Sequence, residues 1–376
     1  MSTTALPQGR GVEVRLSFLQ SRLHLDGFLL TALLAVATFG VAVLYSAFGE
    51  DWAQTQQHVI RLSLGFLALL LCAQLPPRTL RRWAPWAFAG CLGLLLLVMA
   101  LGTTAQGAQS WIDLGFIHFQ PSELMKIGLP LMLAWLLADQ ELPPRPRQVL
   151  IALGLIAGPA ALIALQPDLG TAVLIAASGF FVLFLAGLGW RWILSGIALA
   201  GAAAPLLWFF VMRDYQRERV LTFLHPESDP LGAGYHLIQS KIALGSGGLF
   251  GKGWLNGSQA HLEFIPERHT DFVLAVVGEE FGLIGIAQLF AVYLLIVGRG
   301  LYIAAVAQDN FSRLLAGSIT LTFFIYVLVN AGMASGLLPV VGLPLPLISY
   351  GGSSLVTIMA GFGMLMAIHT HRRLWS

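Results

Sequence analysis

Glu267, Arg268, His269 and Asp271 crowd together in Phe264-Ile-Pro-Glu-Arg-His-Thr-Asp-Phe272, at the end of the one long hydrophilic stretch of a chain that otherwise avoids charge. A carboxylate beside a guanidinium and an imidazole suits proton transfer, because the cation favours the ionised acid and the imidazole can serve as a proton partner. Asp271 directly precedes a long apolar run. Its carboxylate is therefore expected at a boundary between water and lipid, as a catalytic base. An Asp in that place can also be a plain helix N-cap, contributing typically ~1 kcal/mol.

Other residues have chemical potential in smaller measure. Glu123 and Lys126 are three apart in an apolar run, so a helix would set them on one face, where they can pair or serve a polar cavity. Glu279 and Glu280 follow Asp271, and on a continuous helix Glu279 would fall below Asp271 on nearly the same face. Glu279 is assigned to a polar pocket wall and Glu280 to structure. Arg213, Arg217 and Arg219 suit interfacial anchoring with Asp214 and Glu218, or a hold on a phosphate-bearing lipid through planar bidentate guanidinium forks. Trp111 suits a half-wet interface.

Several motifs lead nowhere. In Gly245-Ser-Gly-Gly-Leu-Phe-Gly-Lys-Gly253 the glycine and hydroxyl positions of a phosphate loop fall on Ser246 and Gly253, so a tight backbone fold is expected instead. None of Lys126, Lys241 and Lys252 has Ser three residues before it, which removes Ser-x-x-Lys acylation. Cys72 and Cys91 lie in apolar runs and form no ligand spacing; His369 and His371 beside Arg372 and Arg373 read as a helix end. No residue set is assigned to a metal.

The elements that must position these residues are membrane helices. Of the 376 residues 57% are hydrophobic and 11% charged, against about a quarter charged in soluble domains. The mean hydropathy is +0.77. A net charge of +2, spread over many short loops, gives no surface for nucleic acid. Apolar runs predict ten spans, near 27–45, 58–75, 84–101, 122–138, 149–165, 170–187, 192–212, 272–297, 313–336 and 349–368. The first is too long for a cleavable signal. Residues 1–25 form a polar cytosolic tail, and threading onward puts Arg78, Arg81, Arg82, Arg145, Arg147, Arg191, Arg299, Arg313, Arg372 and Arg373 inside. Arg61 is the one cation expected in a short outer loop.

Both termini are thus expected in the cytosol, and the whole chain, 1–376, reads as one all-α polytopic domain. A large extracytoplasmic loop, 213–271, joins the seventh and eighth helices and is too long for a plain connector. Tyr235, Ile238 and Ile242 recur at helical spacing within it, predicting a short helix lying at the interface.

Gly107-Ala-Gln-Ser-Trp-Ile-Asp-Leu-Gly115, Phe119-Gln-Pro-Ser-Glu-Leu-Met-Lys126, Gln166-Pro-Asp-Leu-Gly170, Asp229-Pro-Leu-Gly-Ala-Gly-Tyr235, Pro266-Glu-Arg-His-Thr-Asp-Phe272 and Pro344-Leu-Pro-Leu-Ile-Ser-Tyr-Gly-Gly-Ser353 occur in this order. Together they resemble the SEDS (shape, elongation, division and sporulation) family of peptidoglycan glycosyltransferases, in its rod-shape branch. Gln109-Ser110 departs from the basic residues that relatives often carry there.

The resemblance implies lipid II as substrate, a class B penicillin-binding protein as partner in cell elongation, a place in the bacterial inner membrane, and Asp271 as the essential aspartate. It implies extension of a glycan on the outer face, where a sugar 4-hydroxyl attacks the anomeric carbon of the donor chain. Such a reaction needs a base, supplied by Asp271, and positive charge near the departing diphosphate. Arg213, Arg217, Arg219, Lys126 or a divalent cation such as Mg or Mn could supply that charge. A flippase for lipid-linked precursors and a non-catalytic scaffold for a penicillin-binding protein are the rival classes. The charged outer loop favours an enzyme, since a flippase is expected to keep its key charges near the midplane.

Overall fold

A computed structural model describes residues 23–101, 103–105, 108–113, 118–212, 214–225, 233–258 and 267–371. The N-terminal tail, Arg213, residues 259–266, Arg372, Arg373 and the side chain of Arg219 lie outside what is described. Helices stand in all ten intervals marked by apolar runs. They are α1 (Gly27–Ala47), α2 (Trp52–Ala73), α3 (Pro77–Leu101), α4 (Pro121–Leu137), α5 (Pro146–Leu165), α6 (Leu169–Leu185), α7 (Trp190–Leu206), α10 (Val273–Ala305), α11 (Asn310–Ser335) and α12 (Ser353–Thr370). Two further helices, α8 (Asp214–Leu224) and α9 (Ala233–Ser246), fold the long segment between α7 and α10. Among the described residues eight helices are long and apolar enough to cross a membrane. A small antiparallel sheet of β1 (Thr103–Ala105), β2 (Ala108–Asp113) and β3 (His118–Phe119) fills the connection before α4.

Aspartates start many of the helices. Asp26, Asp51, Asp168 and Asp309 each accept a first-turn amide, from Leu29, Ala53, Thr171 and Ser312, at 2.8–3.0 Å. Pro121 and Pro146 open α4 and α5, where a missing N–H costs nothing. The cap at Asp51 moves the start of α2 ahead of the apolar run, so Arg61 lies inside α2 and not in the expected outer loop.

Helix α11 lies at the centre, against α4, α6, α9, α10 and α12, while α2 lies along α12. A Cβ at Gly363 would strike the Leu69 carbonyl and the Cys72 side chain, so α2 and α12 meet backbone to backbone, as small residues allow in lipid. Helices α4 and α6 have only 17 residues, about 25 Å, short of a hydrocarbon core of about 30 Å. Their polar ends are tolerated because other helices surround them.

Helix α10 runs for 33 residues but breaks at Gly282, whose φ is +66°. The break strands the amides of Leu283 and Ile284 and the carbonyls of Glu279 and Glu280. The glycine-rich segment takes up all four. Leu283 and Ile284 donate to the carbonyls of Gly248 and Leu249 at 3.0 and 3.1 Å, and the amides of Lys252 and Gly253 donate to those of Glu279 and Glu280 at 3.0 and 2.9 Å. Gly248, Gly251 and Gly253 all have positive φ, and a Cβ at Gly247 or Gly251 would overlap the carbonyl of Gly278 or Glu280. The tight backbone fold expected here is present.

Helix α9 forms where Tyr235, Ile238 and Ile242 suggested, but it buries another face. Leu237, Ser240 and Ala243 pack inward on α10 and α11, and Ile242 is exposed. Small side chains bring α9 close, and Ser240 donates to the Ala334 carbonyl at 2.7 Å. The helix is docked against α10 and α11.

Gly251→Ala is expected to destabilise the protein by more than the ~1 kcal/mol that a positive φ alone would exact, because it also parts the loop from α10. Gly245→Ala, with open space around it, is the control. Thermal unfolding in detergent checks this; equal midpoints for the two variants would contradict the role given to the glycine loop.

Candidate active site

Residues Glu267–Phe272 form a turn leading into α10, closed by the amides of Thr270 and Phe272 donating to the Glu267 carbonyl at 3.2 Å. The next carbonyls are all held from outside the turn. Tyr350 N–H donates to that of His269 at 2.8 Å, Ser349 Oγ to that of Thr270 at 2.5 Å, and Asn330 Nδ2 to that of Asp271 at 2.9 Å. Asn330 is fully buried, and its Nδ2 also donates to the Leu343 carbonyl at 2.8 Å. Asp271 is half-buried, and its Oδ2 lies 3.8 Å from where a Cβ on Gly342 would stand. The N-cap of α10 is Phe272, so Asp271 does not occupy the capping position. The turn also means that Asp271 is not part of the helix carrying Glu279, and the two-turn relation between them does not hold.

Neighbouring side chains are fixed differently. Glu267 accepts from Thr270 Oγ1 at 2.5 Å and shapes the turn. Arg268 Nε donates to the Ala47 carbonyl at 2.6 Å, at the last turn of α1. His269 sits against the rings of Phe48 and Tyr350, with centroids 5.5 and 6.1 Å away. Burial pushes its imidazole below the usual range, Glu267 opposes this and Arg268 adds to it, so His269 is neutral at neutral pH. Tyr350 in turn donates to Gln57 Oε1 at 2.9 Å and carries the Arg61 guanidinium 4.1 Å above its ring.

The second cluster is the expected pair. Lys126 Nζ lies 2.6 Å from Glu123 Oε1, both side chains buried, and Lys126 also bonds the hydroxyl of Tyr326 on α11. Asp168, which caps α6, accepts from Gln120 Nε2 at 2.9 Å. The segment between α11 and α12 connects both clusters. Gly342 borders Asp271, Val341 lies against Gly170, and Leu343 packs with Tyr326 and Leu174.

The remaining candidates lie apart. Glu279, fully buried, pairs with Lys252 Nζ at 2.7 Å and accepts from Ser258 Oγ at 3.2 Å, where the glycine loop meets the break. Glu280 accepts from Ser46 Oγ on α1. Arg217 donates through Nε and Nη2 to the carbonyls of Trp208 and Phe209 at 2.9 and 3.1 Å, in the π-helical turn after α7. That contact fits anchoring. Trp111 is half-buried on β2. At the opposite end of the bundle Arg299 and His369 meet the buried Asp26 at 2.6 and 3.3 Å.

Sequence reasoning assigns no site role to Tyr326, Asn330, Ser349, Tyr350, Gln57 or Arg61, the last of which it places in an outer loop. Ser349 and Tyr350 stand inside one of the family-like motifs, which was the one available signal. Among the described residues no three His, Cys, Asp or Glu side chains converge as a metal site.

Lys126→Ala is expected to lower abundance sharply, since breaking a buried pair from one side costs about 3–5 kcal/mol. The joint change Glu123→Gln with Lys126→Met is expected to restore abundance but not activity. Recovery of both in membrane extracts would leave the pair a structural one.

The model of the family described as cell cycle protein, covering FtsW, RodA and SpoVE, matches residues 22–374. Peptidoglycan glycosyltransferase MrdB of Escherichia coli K12 is 54% identical over 355 residues, 94% of this chain and 96% of the relative. Probable peptidoglycan glycosyltransferase FtsW of Geobacter metallireducens is 38% identical over 366 residues, 93% and 95% of the two chains. A chain from a peptidoglycan synthase complex in which polymerization and crosslinking are coordinated superposes with TM-score 0.81 at 36% identity, covering 93% of this chain and 98% of its own. The rod shape determining protein RodA of Thermus thermophilus gives 0.70 at 32%, covering 92% and 96%. With its length matched almost throughout, the chain belongs to the FtsW/RodA/SpoVE family of cell cycle proteins.

Proposed function

We propose that this chain polymerises lipid II into glycan strands on the outer face of the membrane, with Asp271 as the base. It is a peptidoglycan glycosyltransferase, as its relatives are named. The observation that carries the assignment to Asp271 is the pinning of three successive carbonyls, those of His269, Thr270 and Asp271, by Tyr350, Ser349 and Asn330. A turn held at each peptide positions its carboxylate without reorganisation during the reaction.

In the proposed step Asp271 removes the proton from the sugar 4-hydroxyl as that oxygen bonds to the anomeric carbon of the donor. The bond from that carbon to the lipid diphosphate breaks, and the diphosphate leaves with the electron pair. Positive charge stabilises it as it leaves. Lys126, joined to Tyr326, and Arg61, stacked on Tyr350, both adjoin the segment that borders Asp271. They are the described cations best placed for this, with Arg213 and Arg219 as further candidates. Neutral His269 stands ready to share the proton. No step is assigned to a metal ion.

The same proposal includes ten crossings of the inner membrane with both termini in the cytosol. Supporting it, Asp26, Arg299 and His369 meet at one end of the bundle, and Asp271 lies at the other end of α10. A reporter after Arg373 is expected to behave as cytosolic and one near Ser258 as external; the reverse for either breaks this layout. A class B penicillin-binding protein is the proposed partner, supported by the likeness to a chain from a synthase complex.

Purified protein with its partner is expected to polymerise lipid II in detergent, where no sidedness exists for a flippase to use. Asp271→Asn keeps size and removes charge. It is expected to retain abundance and partner binding while polymerisation falls at least ~100-fold. Substantial polymerisation by this variant would sink the assignment and point next to Glu267.

A further inference from the structure

Far from Asp271, the ends of three helices enclose a cleft of about 440 Å³. Its walls are Leu185, Ala186 and Gly187 at the end of α6, Leu301, Ala304 and Ala305 at the end of α10, and the loop pair Leu142 and Pro143 after α4. One charged side chain lines it, Arg313 in the first turn of α11. Its volume falls in the range of small-molecule sites, and its lining has their usual make-up of apolar walls with few polar groups.

Arg313 is the unusual member. Its Nε is buried and has no hydrogen-bond partner among the described residues. The acid nearest in sequence, Asp309, is committed to capping α11, accepting from the amide and hydroxyl of Ser312 at 2.9 Å each. A buried guanidinium donor left without an acceptor is costly. A phosphate oxygen removes that cost, because guanidinium geometry matches phosphate and Arg is the side chain best suited to such pairing. Leu301 and Ala305 are exposed at the mouth, where the bundle surface meets lipid.

We infer that this cleft binds one membrane phospholipid of net negative charge, its phosphate on Arg313 and the start of an acyl chain against Leu185, Leu301 and Ala304. A headgroup carrying its own cation would compensate Arg313 less well. The site is separate from glycan chemistry and stands whether or not Asp271 is the base.

The test is native mass spectrometry of the delipidated full-length protein in detergent, titrated with phosphatidylglycerol, phosphatidylcholine or inorganic phosphate. One phosphatidylglycerol is expected to be retained in preference to phosphatidylcholine. Arg313→Gln is expected to weaken it about 10-fold, the scale of one charge-assisted contact. Ala305→Leu, which narrows the mouth and leaves the charge in place, is expected to weaken it as well. If Arg313→Gln does not fold, judged by its thermal midpoint, Ala305→Leu decides. Wild-type retention by the folded variants, equal retention of phosphatidylcholine, or full displacement by inorganic phosphate alone would overturn the proposal.

Discussion

A helix interrupted within hydrocarbon must find new partners for its backbone, and α10 finds them in the glycine loop. The two helical hydrogen bonds that the break at Gly282 denies to α10 are replaced by four to residues 248–253. The outer piece of α10, Val273–Phe281, is thereby held at an angle its own helix could not impose. Asp271 rides on that piece. The pair of exposed Lys252 with buried Glu279 closes the same junction, so a charge that composition alone would assign to function is accounted for by fixing the loop to the break.

The segment between α11 and α12 performs the complementary task from the other side. It supplies Ser349 and Tyr350 to the Asp271 turn, places Gly342 beside the carboxylate, and packs Leu343 against the tyrosine that meets Lys126. Asn330 ties that segment and the turn together with one amide group. Two polar clusters in a low-dielectric bundle are thus referred to one irregular stretch of backbone. Such backbone is tolerated at this depth because protein, not lipid, surrounds it.

Much of this was legible in the sequence. Apolar runs mark where helices form, eight of them among the described residues long and apolar enough to cross a membrane, and three-residue spacing pairs Glu123 with Lys126. Asp271 stood out because charge is scarce. What escaped depends on contacts between distant parts of the chain. Tyr326 and Lys126 are 200 residues apart, and Asn330 is apolar helix in every respect except its amide. The start of α2 was misplaced because Trp52–Gln57 is polar, and hydropathy cannot see a helix begun by an Asp cap. The inward face of α9 was misjudged because close packing there selects Ser and Ala over the larger Tyr and Ile that periodicity favours.

Helix α7 is the exception to this close packing. None of its residues is buried, and Trp190, Leu199 and Phe210 stand 73%, 72% and 82% exposed at its start, middle and continuation. Among the described residues no helix buries its side chains, so its tilt depends on the match between its apolar length and the hydrocarbon around it. Bilayer thickness is therefore a mechanical variable for this one helix. Arg217 ties α8 to the far end of α7, so these two helices are linked there, while α11 and the pinned turn at Asp271 are held by other contacts.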